Sequence, residues 1–114
     1  MDLQAVAALL RKSITLNGEL SEPHLQLGIL YADQHDYERS IPELQHALEL
    51  DPNLPDAHYR LGTDYIHMGQ KDRAEAEFAT YQKLRAQRLA EADRERAEVK
   101  EFVYSAKSAP GNKP

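Results

Sequence analysis

The segment Leu27-Gly28-Ile29-Leu30-Tyr31 is repeated 34 residues later as Leu61-Gly62-Thr63-Asp64-Tyr65, with Leu, Gly and Tyr retained. The same displacement aligns four further pairs of identical residues: His24 with His58, Arg39 with Arg73, Glu43 with Glu77, and Leu50 with Leu84. A fixed period of this length is typical of stacked helical repeats, in which each unit buries its apolar face against its neighbours. The sequence therefore predicts an all-α fold built from helix-turn-helix units.

The period divides the chain into two complete repeats, residues 21–54 and 55–88, and a half repeat, residues 2–17. The half repeat aligns with the second helix of the following unit, so its first helix is missing from this sequence. We expect either that the segment belongs to a longer array or that the chain begins with a truncated repeat. Apolar periodicity and the punctuating Gly and Pro residues predict helices at 2–16, 22–34, 37–50 and 56–68.

Local residues define the predicted helix ends. Asp2 and Asp36 are predicted N-caps, because their carboxylates can accept from free N–H groups of the first turn. Ser21 is expected to cap the second helix, and Gly18 is expected to be left-handed after the first. Gly28 lies inside a helix, where glycine costs about 1 kcal/mol relative to alanine, and this indicates a close approach by a neighbouring helix.

The final helix is predicted to be long. Pro52 closes the first repeat, but Ala86 takes the corresponding place in the second, and helix-forming residues continue to about Tyr104. We predict that this helix caps the end of the array, because repeat proteins need a polar terminal surface. Residues 1–104 would then form a single domain. Residues 105–114 are rich in Ser, Ala, Pro, Gly and Lys and are expected to be a disordered tail.

Composition narrows the classes of function. The 114 residues include no Cys, which excludes disulfides, thiolate metal sites and a Cys nucleophile. The net charge is −5, and the first 70 residues hold eleven acidic against four basic side chains, so nucleic acid is not an expected partner. No apolar run approaches the length of a membrane span, and the start Met1-Asp2-Leu3-Gln4 lacks the apolar core of a signal peptide. The cellular compartment stays open.

The sequence contains no recognisable catalytic or metal-binding motif. Neither His24 nor His58 has a second ligand four residues on, and none of the five His residues has a Ser or Cys partner at a recognisable spacing. A metal site at His24 and His58 is the alternative to our interpretation that both fill a packing position. Leu-Gly-x-x-Tyr is a packing signature and not a phosphate-binding loop. We therefore predict no enzymatic activity, no cofactor and no metal.

These patterns resemble the tetratricopeptide repeat (TPR), whose signature is an aromatic residue, Leu-Gly-x-x-Tyr, Ala-x-x-x-Phe and a closing Pro. The matching residues in the two repeats are Leu27, Gly28, Tyr31, Tyr37, Leu44, Ala47, Leu50 and Pro52, then Leu61, Gly62, Tyr65, Gly69, Ala74 and Phe78. His24 and His58 replace the usual aromatic, and Ser40 replaces the usual Ala. The resemblance covers residues 2–88. It implies a TPR-like α-α superhelix that acts as a protein–protein interaction scaffold.

In that family the first helix of each pair lines a concave groove that binds an extended peptide or a partner helix. Carried over by position, the groove residues would be Leu25, Ile29, Asp33, Tyr59, Arg60, Thr63 and His67. One subset grips a C-terminal carboxylate with Lys, Asn and Arg. Only Arg60 is suitably placed here, so that mode is not expected. The mixed apolar and acidic surface favours an apolar or basic partner segment.

Self-association is the alternative function. The half repeat lacks its partner helix, so Val6, Leu9 and Leu10 are expected to be partly exposed, and exposed apolar patches attract partners. The last helix carries a broken apolar line: Leu89, Ala92, Val99, Phe102 and Val103. This line could cover such a patch in a second copy and produce a homodimer. The competing interpretation is that the helix caps its own chain.

Overall fold

The computed structural model describes residues 2–108, which form five α-helices. Their bounds are α1 Leu3–Leu16, α2 Ser21–Asp33, α3 Tyr37–Leu50, α4 Pro55–His67 and α5 Lys71–Ser108. Helix α2 packs against α1, α3 and α4, and α3 also packs against α4. The all-α prediction is confirmed. The chain divides into two compact units, one ending at Gln82 and the other beginning at Lys83. The first contains α1 to α4 and the start of α5, and residues 83–88 of the second repeat belong to the other unit.

Two of the three predicted N-caps are present. The Asp2 carboxylate accepts from the N–H groups of Gln4 and Ala5, and Asp36 accepts from the N–H of Arg39. The predicted cap at Ser21 is wrong, since Ser21 is the first residue of α2 and Leu20 is its N-cap. A cap at Ser21 would use an N–H donor two or three residues on, and Pro23 removes the first of these.

The left-handed residues also differ from the prediction. Gly18 does not have a positive φ. Helix α1 ends at its C-cap Asn17, which is extended with φ −152°. In residues 2–108 the positive-φ positions are Gly69 (φ 74°) and His35 (φ 60°). These two residues are 34 positions apart and close equivalent turns between the helices of each repeat. The second repeat therefore uses glycine where the first uses histidine.

The long final helix extends further than predicted. Helix α5 has 38 residues and ends at Ser108, so residues 105–108 are helical and do not belong to a disordered tail. The reason is that Ser105-Ala106-Lys107 contains no helix breaker, and the next proline is Pro110. The rest of the predicted tail, residues 109–114, lies outside the described residues. The capping role of the helix stays a prediction.

The core contains two apolar clusters on either side of α2. One is formed by Leu25, Leu44, Ala47, Ala57, Leu61, Tyr65 and Ala74. The other is formed by Ala7, Leu27, Leu30 and Tyr31, with half-buried Val6, Leu10 and Ile14 packed against it. The half repeat is thus held to the first complete repeat by an apolar face. Leu9 and Leu16, at 69% and 77% exposure, lie outside that face.

The glycines of the repeated motif allow close helix packing. A Cβ added at Gly28 would lie 2.7 Å from both Cγ and Cδ2 of Leu44. A Cβ added at Gly62 would lie 2.6 Å from the ring of Phe78. These distances are too short for carbon atoms, so the interpretation of a close approach at Gly28 is confirmed.

The repeated His and Glu residues form equivalent contacts. His24 Nδ1 lies 2.9 Å from Glu43 Oε2, and His58 Nδ1 lies 2.7 Å from Glu77 Oε2. His24 is buried and stacks on His46 with 4.3 Å between ring centroids. Each pair ties the first helix of a repeat to the second, which gives a physical reason for the recurrence of these residues.

The repeated Arg and Tyr residues also contact each other. The guanidinium carbon of Arg39 lies 6.0 Å from the ring centroid of Tyr31, and that of Arg73 lies 5.9 Å from Tyr65. Both tyrosine rings are buried. The arginines therefore cover the buried rings with their side chains and add a cation–π attraction.

Substituting His35 by glycine is expected to raise the free energy of unfolding by about 0.5–1 kcal/mol, since a left-handed backbone is costly for a residue with a Cβ. The exposed contact between His35 Nδ1 and the Tyr37 hydroxyl, 2.9 Å long, would be lost and offsets part of the gain. Urea unfolding measures the difference. Gln34→Gly is the matched control, because Gln34 has φ −89° and should lose stability. Equal effects of the two substitutions would contradict the prediction.

Candidate functional site

A cleft of about 280 Å³ lies between α2 and α4, and we call it the α2–α4 cleft. Its lining residues are Ala32, Asp33, His35, Tyr37, Arg60, Thr63, Asp64 and His67. Four of the seven predicted groove residues are among them: Asp33, Arg60, Thr63 and His67. Residues from two separate repeats are thus brought together at one surface.

The helical period places the α4 residues on this surface. Arg60, Thr63 and His67 are spaced by three and four residues, so their side chains project from one face of α4. The Thr63 hydroxyl donates to the Tyr59 carbonyl, 3.0 Å away, which fixes its rotamer. Arg60 is half-buried and His67 is exposed.

Asp33 gives the cleft a negative end. It is the last residue of α2, and its side chain is exposed. The carbonyl end of a helix carries a partial negative charge, to which the Asp33 carboxylate adds. This end of the cleft therefore attracts cationic groups, whereas the α4 wall offers the guanidinium of Arg60.

Tyr37 and His35 line the cleft although the sequence reasoning did not select them. The Tyr37 ring stacks on His67 with 4.4 Å between centroids and 5° between planes. The helical pattern alone would place Tyr37 on the inward face of α3. It is the first residue of that helix, and helical side chains point toward the N-terminus, so it covers the preceding turn. That position in the helix is the signal that could have identified it.

Buried Asp64 lies beneath the cleft and is 1% exposed. Burial raises the pKa of the Asp64 carboxyl above its ordinary value of 3.8, while the Ser40 hydrogen bond and the charges of His67 and Arg60 oppose that shift. The Ser40 hydroxyl lies within hydrogen-bond distance of both Asp64 Oδ2 and the Gly28 carbonyl, the latter at 2.8 Å.

A serine hydroxyl has one proton, so Ser40 can donate to only one of these acceptors at a time. Ser40 is placed to donate to Asp64 Oδ2 on α4 or to the Gly28 carbonyl on α2, and it lies on α3 between them. Asp64 therefore serves as a structural link between α2, α3 and α4, and its burial keeps it from direct contact with a ligand.

The other three predicted groove residues lie elsewhere. Leu25 is only 4% exposed and belongs to the core, so its prediction as a contact residue is wrong. The same cluster contains the small residues Ala47 and Ala57. Tyr59 is 47% exposed and packs against the rings of Phe78 and Tyr81, 5.8 and 5.2 Å away.

Ile29 lines a second cleft of about 270 Å³ between α1 and α2. Its other lining residues are Val6, Leu10, Gln26, Leu30 and Asp33. Because Asp33 borders both clefts, the apolar second cleft adjoins the acidic end of the α2–α4 cleft.

Two further observations concern residues 2–108. No three His, Asp or Glu side chains within this range come together in a way that could hold a metal ion. Among the helices of the same range, not one combines the length and apolar character needed to cross a bilayer.

Solved structures share this fold. The crystal structure of MamA superposes with a TM-score of 0.75 over 78% of this chain and 52% of MamA, at 20% sequence identity. The second TPR of Spaghetti (RPAP3), bound to the HSP90 peptide SRMEEVD, superposes with a TM-score of 0.70 over 72% of this chain and 76% of that one, at 21% identity. At these identities the similarity establishes the fold alone.

Sequence comparison identifies the family. Mouse (Mus musculus) Superkiller complex protein 3 is 33% identical over 76 residues, which are 67% of this chain but 5% of that protein. The chain thus spans a small part of this curated relative. Residues 31–100, more than half of the chain, match the family model described as Tetratricopeptide repeat. The chain therefore belongs to the tetratricopeptide repeat family.

Proposed function

We propose that this chain binds an extended segment of a partner protein in the α2–α4 cleft. The TPR fold supports a protein–protein interaction scaffold as its general role. The observation that carries the finer proposal is the convergence of Asp33 from α2 with Arg60, Thr63 and His67 from α4 on one open surface. Clefts with a few convergent polar groups are the usual ligand sites of proteins.

The cleft favours a partner segment that combines basic and apolar side chains. A Lys or Arg of the partner would lie next to the Asp33 carboxylate at the negative end of α2. Arg60 would donate hydrogen bonds to backbone carbonyls of the extended segment. An apolar side chain next to the basic one would enter the adjoining cleft at Ile29.

The peptide complex of the second TPR of Spaghetti supports the proposal that the ligand is a peptide segment. Its peptide SRMEEVD contains three acidic residues against one arginine. Such a segment would be repelled by Asp33. The positions expected to grip a terminal carboxylate with cations hold Leu25, Ile29, Tyr59 and Thr63 instead, and only Arg60 is suitably placed. We therefore propose that this chain also binds a peptide segment, but one that is basic instead of acidic.

Reversal of the charge at Asp33 is expected to change which peptides bind. Selection of displayed random peptides against the native chain should enrich segments with Lys or Arg beside apolar residues. The Asp33→Lys variant should lose that enrichment, because its cation repels basic side chains. Glu49→Lys is the matched control, since exposed Glu49 on α3 carries the same charge but does not line the cleft. Unaltered selection by Asp33→Lys would contradict the proposal.

The proposed function involves no catalysis. The tetratricopeptide repeat is in general a non-catalytic interaction scaffold. The buried acid of this cleft, Asp64, is engaged with Ser40 beneath the surface. We therefore propose that the chain binds and does not transform its partner.

Self-association is a second candidate function, favoured by apolar side chains that lie in solvent near both ends of the chain. Leu9 and Leu16 on α1 are 69% and 77% exposed, and Val99 and Phe102 on α5 are 61% and 75% exposed. Removal of such surfaces from water stabilises association by about 25 cal/mol per Å² before its entropic costs.

A further inference from the structure

The unit that begins at Lys83 carries an apolar seam along α5. Leu89, Ala92, Val99 and Val103 follow one another at intervals of three, seven and four residues. These intervals place Leu89 and Val103 at heptad positions a, and Ala92 and Val99 at positions d. The intervening a position is Arg96. A seven-residue apolar repeat is the pattern of helices that pair as coiled coils.

The large side chains of this seam are exposed in the single chain. Leu89 is 58%, Val99 61% and Val103 43% exposed. Isolated helices gain little stability in water without tertiary packing of an apolar face. A second helix covering the seam would supply that packing.

We infer that residues 85–106 pair with the same residues of a second copy as a parallel, in-register, two-stranded coiled coil. This inference rests on the self-association proposed above and names its surface and orientation. It differs from the earlier expectation that the apolar line covers the half repeat of another copy.

The charges beside the seam fit a second copy in this orientation. In a parallel pair, each g residue faces the e residue five positions later on the other strand. Arg88 at g would face Asp93 of the second copy, and Glu95 at g would face Lys100 of the second copy. Both contacts join opposite charges, and each occurs twice in the dimer. The same sequence thus supplies both sides of a complementary interface.

Asp93 already contacts Arg96 within the helix, with 3.3 Å between the charged atoms. Both side chains are more than two-thirds exposed, and such surface pairs contribute little. Asp93 can therefore still meet Arg88 of the second copy. Arg96 itself stands at an a position, where a charged residue specifies register and strand number at a cost in stability. Pairing is thus expected to depend on protein concentration.

Disulfide trapping in the full chain tests the inference, since the native sequence contains no Cys. Ala92→Cys and Val103→Cys should each give disulfide-linked dimers under mild oxidation, because both positions can meet their own equivalents only in a parallel, in-register pair. Ala97→Cys is the matched control for Ala92→Cys: it makes the same change on the outer b face and should cross-link several-fold less. Equal cross-linking at positions 92 and 97 would overturn the inference.

Charge exchange across the seam provides a second measurement. Sedimentation velocity should show weaker dimerisation for Glu95→Lys and for Lys100→Glu, and recovery in the double variant. Residues 95 and 100 are not neighbours within one helix, so recovery reports a contact between strands. A chain that dimerises without cross-linking at Ala92→Cys would refute the seam but retain self-association. A chain that is monomeric at every concentration would refute both.

Discussion

Leu44→Ala is expected to lower the free energy of unfolding by about 2–5 kcal/mol, which is a large part of the stability of a small domain. Leu44 on α3 is fully buried and belongs to the larger core cluster. The substitution removes its contacts with the surrounding side chains and leaves a cavity. Urea unfolding followed by circular dichroism measures the loss. A loss below about 1 kcal/mol would contradict this packing.

Leu44→Ala should also partly relieve the overpacking that Gly28→Ala causes. Gly28→Ala alone places a methyl group 2.7 Å from the Leu44 side chain, and overpacking of this kind costs about 1–3 kcal/mol. In the double variant the methyl group added at position 28 would occupy space that the shortened side chain at position 44 leaves empty. The double variant should therefore be more stable than the sum of the two losses predicts, by about 0.5–3 kcal/mol.

Gly62→Ala is the control for this coupling, because its added methyl group would meet Phe78 instead of Leu44. Combined with Leu44→Ala, it should give a more nearly additive loss. Equal coupling for both glycines would show that the close approach at Gly28 does not depend on Leu44.

Ser40→Ala is expected to destabilise the protein by about 1–3 kcal/mol, although Ala is the usual residue at this position in the family that the sequence resembles. Ser40 is fully buried, and its removal deprives Asp64 and the Gly28 carbonyl of their partner. Adding Asp64→Leu should restore stability to the native level or above, because it replaces the remaining polar partner by an apolar one.

Leucine is chosen at position 64 because Leu30 holds the equivalent place in the first repeat. Thermal unfolding of the native chain, Ser40→Ala and the double variant decides the matter. A double variant less stable than Ser40→Ala would contradict the account of Asp64 as a buried acid that depends on Ser40.

The raised pKa of Asp64 adds a pH dependence to this prediction. Burial favours the protonated carboxyl in the folded state, so its stabilising contribution is fully present below pH 3.8 and is lost as the pH rises through the folded pKa. The stability of the native chain relative to Asp64→Asn should therefore fall over that interval and then level off. Urea unfolding of both proteins from pH 3.5 upward measures the difference. A relative stability that rises with pH would contradict the direction of the shift.

The fold could be predicted because its signals are local and repeated. The period of 34 residues identifies the units, and Leu-Gly-x-x-Tyr marks the first helix of each. The glycine inside a helix indicates a close approach, which the structure confirms at Leu44. Such signals need only the helical period and the propensity of individual residues.

The candidate site was harder to predict from the sequence, because it depends on which side chains of different repeats lie close together. Leu25 has the position of a groove residue, but it lies in the core cluster that also contains the small residues Ala47 and Ala57. The link between Ser40 and Asp64 joins residues 24 apart. The equivalent positions one repeat earlier hold Val6 and Leu30, which cannot form such a link. Ser40 departs from the alanine of the family pattern, and Asp64 differs from the Leu30 of the first repeat. Only the structure shows that the two residues are in contact.

The central claim is that the α2–α4 cleft binds a partner segment, and an NMR titration tests it most directly. The probe is a peptide with a basic residue beside apolar residues, taken from the selection against the native chain. We predict that amide shifts concentrate at Asp33, Tyr37, Arg60, Thr63 and His67, and that Asp33→Lys abolishes them. Shifts confined to the face of α3 around Glu49, or to residues 83–108, would contradict the account.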